Sequence, residues 1–204
     1  FIFVSAVSES TTAAAAWNNA SDNQASGGNT YTQFNYNLSG VTAYGQGFAT
    51  VATKASGTFT VTVSKGSSTM LAMLIAEYTN VGSTSTDGTD AGSVNPPVNT
   101  GMNNFAIPCN NWHSGATTTG PNDLMVTVAS TNGGIGAGGN LYQPSMIGAS
   151  GFTIRTPALG GGYDHWILAL ADQIVSAGTY SPEWQGNPYY NSSGENDCNV
   201  LAWK

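Results

Sequence analysis

Apolar and polar residues alternate along most of this chain. Thr58-Phe59-Thr60-Val61-Thr62-Val63-Ser64 puts Phe59, Val61 and Val63 on one side of an extended backbone and hydroxyls on the other. That period of two marks a strand with one buried face. Comparable runs cover residues 30–36, 47–53, 124–129, 151–155 and 166–171. Between them stand turn clusters: Ser26-Gly27-Gly28-Asn29, Lys65-Gly66-Ser67-Ser68, Thr86-Asp87-Gly88-Thr89, Asn132-Gly133-Gly134 and Gly160-Gly161-Gly162. Short strands punctuated in this way predict an all-β fold, an antiparallel two-sheet β-sandwich of jelly-roll type. No shift in composition marks a boundary, so residues 1–204 read as one sandwich domain.

Two segments depart from simple alternation. Residues 69–78 (Thr-Met-Leu-Ala-Met-Leu-Ile-Ala-Glu-Tyr) have helical propensity by residue type. Their length of one strand and the turn signals around them predict instead a central strand buried on both faces. The chain also opens on an apolar run, Phe1-Ile2-Phe3-Val4-Ser5-Ala6-Val7. It reads either as a core strand or as an assembly strand, Phe1, Ile2, Phe3 and Val4, with no partner in its own chain. In the second case copies join by β-strand addition, because a sandwich short of one strand exposes unpaired backbone and an apolar groove.

Charge changes this picture. Asp, Glu, Lys and Arg make up 7% of the chain, where about a quarter is usual. Hydroxyls, amides and glycine take their place, which suits an extracellular, self-associating β protein. The four cations, Lys54, Lys65, Arg155 and Lys204, are scattered in a chain of net charge −7. They cannot form the basic footprint that phosphate backbones require, so nucleic acid is excluded as a partner. The longest apolar run, residues 70–76, is too short to span a membrane. A start at Phe1 rather than Met reads as a processed product. In a secreted chain, Cys109 and Cys198 read as one disulfide, worth roughly 4–5 kcal/mol in the chain-entropy account. Three Asn-x-Ser sites, at Asn19, Asn37 and Asn191, permit glycosylation.

An ordered set of motifs resembles a jelly-roll-like domain of unassigned activity found in predicted secreted and cell-surface bacterial proteins. The set comprises Gly28-Asn29-Thr30-Tyr31-Thr32, Gly57-Thr58-Phe59-Thr60-Val61-Thr62-Val63 and Ala76-Glu77-Tyr78-Thr79-Asn80-Val81, with Asp87 following. It continues through Thr117-Thr118-Thr119-Gly120-Pro121-Asn122-Asp123-Leu124, Gly151-Phe152-Thr153-Ile154-Arg155, residues 171–180 and Val200-Leu201-Ala202-Trp203. The resemblance implies a sandwich and an extracellular setting, and it supplies no catalytic residue. Two departures stand out. The family has a further strand before the one matching Phe1-Ile2-Phe3-Val4, and residues 101–115 and the cysteine pair look like additions.

Candidate chemistry is sparse. A Cys109–Cys198 bond would draw Trp112 and His113 toward Trp184, Tyr189, Tyr190 and Glu195, a candidate glycan-binding patch of stacking rings and polar side chains. The alternative is a disulfide that staples a loop over packed aromatics. Asp87 and Asp90 in Asp87-Gly88-Thr89-Asp90 are a weak calcium candidate beside an ordinary turn. Asp164-His165 has no accompanying Gly-x-Ser-x-Gly elbow, and no phosphate-binding glycine loop occurs. The threonine face of Thr58, Thr60 and Thr62 reads as solvated strand, with surface binding a remote alternative. No cofactor or resident metal is expected. The leading expectation is a non-catalytic extracellular module that partners copies of itself, followed by a carbohydrate-binding module and, remotely, a hydrolase.

Overall fold

The computed structural model describes residues 1–9, 17–36, 43–53, 57–65, 71–85, 91–94, 105–108, 116–134, 145–147, 151–155, 158–159, 164–180, 182–186 and 196–204. These residues are all-β, with no helix among them. The N-terminal half supplies β1 (Ile2–Glu9), β2 (Trp17–Asp22), β3 (Thr32–Tyr36), β4 (Ala43–Thr50), β5 (Val61–Lys65), β6 (Leu71–Glu77) and β7 (Ala91–Val94). Next come β8 (Phe105–Pro108), β9 (Ala116–Thr118), β10 (Asp123–Gly134), β11 (Ser145–Ile147), β12 (Thr153–Ile154) and β13 (Ala158–Leu159). The chain closes with β14 (Asp164–Val175), β15 (Gly178–Tyr180), β16 (Glu183–Gly186) and β17 (Asn196–Trp203).

Every pairing is antiparallel. An N-terminal sheet runs β3-β4-β1-β6, and a C-terminal sheet runs β12-β14-β10-β17-β7 with β13 also on β14. A β2–β5 ribbon, a β11-β16-β8 sheet and a β15–β9 pair complete the set.

Alternation along the strands builds three apolar layers. Phe1 and Phe3 join Leu124, Val126, Leu168, Leu170, Leu201 and Trp203 between the two large sheets. The neighbouring positions Ile2, Val4 and Ala6 point the other way, against Ala20 and Val61 of the β2–β5 ribbon. On the far face of the C-terminal sheet, Met125, Ala169, Ala171 and Val200 pack with Trp184 of β16. Phe3, Phe48 and Trp203 are fully enclosed, and each such side chain contributes about 1.5–3 kcal/mol. Trp203 gathers the rings, with Phe1, Phe3 and Phe34 centred 5.0, 5.4 and 5.7 Å from it.

The β5 reading holds: Val61 is buried and Phe59 and Val63 pack beside it, while Thr58, Thr60 and Thr62 face solvent. Three expectations are corrected. β1 does not lack a partner in its own chain. It pairs with β4 on one edge and β6 on the other, and both its faces are covered. Within the segment expected to be central, residues 69–78, Leu71–Glu77 forms β6, which stands at the edge of its sheet among the described residues with Met73 and Ile75 exposed. The β2–β5 ribbon covers β1 and β4 and stops short of that edge. Asn132-Gly133-Gly134 is strand rather than turn, because Trp166, His165 and Asp164 of β14 pair along it.

Candidate functional site

Polar chemistry concentrates where the two large sheets meet. In β14, Leu168, Leu170 and Asp172 share the face turned toward the N-terminal sheet, so alternation carries Asp172 inward and leaves it 5% exposed. β12 lies alongside with Thr153 opposite Asp172, and the Arg155 N–H donates to the Leu170 carbonyl at 2.8 Å. That register aims the Arg155 side chain at the carboxylate. Its Nε reaches Oδ2 at 2.6 Å and its Nη2 reaches Oδ1 at 2.7 Å, the bidentate geometry of a strong charge-assisted pair. Tyr78, just past β6, donates its hydroxyl to the same Oδ2 at 2.8 Å. The hydrogen bond to Asp172 raises the Arg155 pKa further. Burial, followed by the neighbouring carboxylate, pushes the Tyr78 phenol well above its usual range. The result is a saturated carboxylate, a fixed cation and a phenol that resists ionisation. The three side chains tie one sheet to the other.

Two further aspartates do similar work. At the end of β2, Asp22 Oδ1 accepts the Gln24 and Asn29 backbone N–H groups at 3.1 and 3.2 Å. Its Oδ2 accepts the Asn29 amide at 2.8 Å and the Tyr31 hydroxyl at 3.1 Å. Burial works against the charge, but these four donors outweigh it and hold the carboxyl below its usual range. Burial and the Asp22 charge raise the Tyr31 phenol. The turn they staple passes through Gly28 at φ 77°, where a Cβ would lie 2.7 Å from Asp22 Oδ1; glycine alone fits. Asp123, 1% exposed, accepts the Gly120 N–H at 2.8 Å and closes the turn into β10.

The sequence-predicted sites separate. Phe1, Ile2, Phe3 and Val4 are core, and the Phe1 ammonium donates to the Tyr78 carbonyl at 2.8 Å. Trp184 is corrected as a glycan-stacking residue: it is fully buried and its Nε1 donates to Thr127 Oγ1 at 3.0 Å. An aromatic ring on this face goes inward because the C-terminal sheet needs a cover there. Asn19 is exposed on β2, its Oδ1 accepting the Ala20 N–H at 2.8 Å. Cys198 lies on β17 opposite Ala129. Trp112, His113, Tyr189, Tyr190, Asn37, Asn191, Cys109, Asp87 and Asp90 lie outside the described residues. Among the described residues no group of three His, Cys, Asp or Glu could hold a metal ion, and no helix is long and apolar enough to cross a membrane.

The Tyr78–Asp172–Arg155 tie was missed as a unit, although all three residues sit in the ordered motifs. The available signal was weak: Arg155 is the chain's single arginine, and bidentate pairing with a carboxylate is one use of that side chain. A second missed feature is the set of exposed apolar side chains. The exposed large apolar side chains among the described residues are Met73 and Ile75 on β6, Ile154 on β12 and Ile174 on β14. Met73 and Ile75 share the face of β6 that carries Val4 and Ala6 on β1, whereas Ile154 lies opposite Ala171 on the far face of the C-terminal sheet. The opposite edge strand, β3, shows Thr32 and Gln33 to solvent. The chain matches no protein-family model, no curated protein and no solved structure.

Proposed function

We propose that this chain is a non-catalytic extracellular structural module of jelly-roll-like form, a subunit that joins copies of itself by strand addition into a surface filament or layer. The observation that carries the reading is the exposed apolar pair Met73 and Ile75 on β6, at the edge of its sheet among the described residues, in a chain almost without charge. Soluble monomers guard such edge strands with Lys, Glu or Pro. The aspartates support the same reading, since Asp22, Asp123 and Asp172 are engaged in holding turns and sheets rather than left available for chemistry. The ordered motifs that resemble cell-surface domains support the setting. A Cys109–Cys198 bond is part of the proposal, because β8, which ends just before Cys109, lies against β17, which carries Cys198.

Negative-stain micrographs and light scattering of the native protein over a range of concentrations test the function. Fibres, arrays or a mass that rises with concentration are expected. Monomers throughout, in native buffer at high concentration, would overturn it.

A further inference from the structure

We infer that β6 pairs antiparallel with the β6 of a second copy across a two-fold axis at Leu74, with Met73 of each copy opposite Ile75 of the other. This rests on the self-assembly reading and names one of its contacts; a two-fold contact closes into a pair, so a filament or layer needs a second one.

The backbone limits the register to alternate positions, and an axis at Leu74, the middle of β6, gives the longest ladder. Phe1 and Tyr78 exchange both hydrogen bonds at 2.8 Å, so they form a hydrogen-bonded pair of the β1–β6 ladder. Such pairs recur at every second residue of an antiparallel ladder. Ala76, Leu74 and Ala72 therefore turn their N–H and C=O groups to β1. Those of Glu77, Ile75, Met73 and Leu71 point to the open edge, where no strand pairs with them among the described residues. A two-fold at Leu74 sets Met73 against Ile75 and Leu71 against Glu77 of the partner, so each of these pairs has outward groups on both sides, while Leu74 faces Leu74 and Ala72 faces Ala76 as non-bonded pairs. A slip by one residue would match outward groups with inward ones and forfeit the ladder.

Side chains favour the same occupant. Met73 and Ile75 are 40% and 48% exposed on one face of β6. The pairing brings both, and the partner's Ile75 and Met73, into one apolar patch. Between Leu71 and Glu77 the single charge is Glu77, and the two-fold sends the two copies of it to opposite ends of the ladder. Beside the edge, the Arg155 guanidinium is already neutralised by Asp172. The edge carries one carboxylate, Glu77, which the two-fold keeps apart from its copy, so a second copy meets a self-complementary apolar strand, as an isologous contact requires.

The test uses the whole chain. Met73→Lys/Ile75→Lys alters two side chains that face solvent in the monomer and faces lysines against one another in the pair. It should weaken association about tenfold or more with an unchanged thermal midpoint. Ile75→Thr, a milder change that keeps strand propensity, should weaken it less. Independently, Met73→Cys mixed with Ile75→Cys should form a disulfide between positions 73 and 75 of different molecules, faster than either variant alone, identified by peptide mass spectrometry. If the wild type assembles but the lysine variant assembles equally well and the 73–75 cross-link is absent, β6 pairing is overturned while self-assembly stands. Cross-linking to another position would likewise overturn it and identify a different occupant of the edge. If the wild type never associates, the functional reading itself fails.

Discussion

Asp172 lies between two sheets with three donors from two other segments converging on its carboxylate. Arg155 supplies two and Tyr78 one. Such a carboxylate is costly to leave short of partners, so each donor can be weighed by removing it. Tyr78→Phe deletes one hydrogen bond to a charged acceptor and should lower stability by about 1.5–3 kcal/mol. Arg155→Lys keeps the charge but loses the planar fork. Its half-exposed position limits the expected loss to about 1 kcal/mol. Urea denaturation of both variants checks these values; equal stability of Tyr78→Phe and wild type would remove Tyr78 from the tie. Arg155, as the sole arginine, was legible as one side chain suited to pairing with a carboxylate. Which carboxylate was not legible, because Asp172 reaches it through the β12–β14 register and Tyr78 through the packing of one sheet on another.

At the scale of elements, one predicted turn holds and another, Asn132-Gly133-Gly134, is strand. Ser26-Gly27-Gly28-Asn29 is a turn with positive φ at Ser26, Gly27 and Gly28, as glycine-rich sequences between strands require. Its staple is Asp22, and this predicts a pH dependence. The folded carboxyl titrates below its unfolded value, so its contribution is complete above about pH 4 and is lost as pH falls through the lower folded value. The stability gap between wild type and Asp22→Asn, measured in urea from pH 6 downward, should therefore be widest near neutrality and close in acid. A gap that widens in acid would contradict the assigned donors. For β1 and β6 the local pattern misled. Both are apolar runs of strand length, and a run of that kind does not reveal how many of its edges and faces are covered.

For the whole molecule, the decisive fact is layering. Two large sheets enclose one core, and a ribbon and a small sheet cover their outer faces to make two more. The proposed disulfide would bind the covering sheet's neighbourhood to the C-terminal strand. A reductant should then lower unfolding free energy by roughly 4–5 kcal/mol in the chain-entropy account. Two freely titrating thiols in the native protein, with stability unchanged on reduction, would refute the bond. The sequence by itself determined the extended character of the chain, the inward and outward faces of strands such as β5, and the scarcity of charge, because a period of two and residue chemistry are local properties. Only the tertiary structure decided that β1 is central and β6 stands at the edge of its sheet among the described residues, that Trp184 is a core residue, and that Tyr78, Arg155 and Asp172 meet. Those outcomes depend on which distant strands pair and which layer covers each face, and partners far apart in sequence leave no trace in the local pattern.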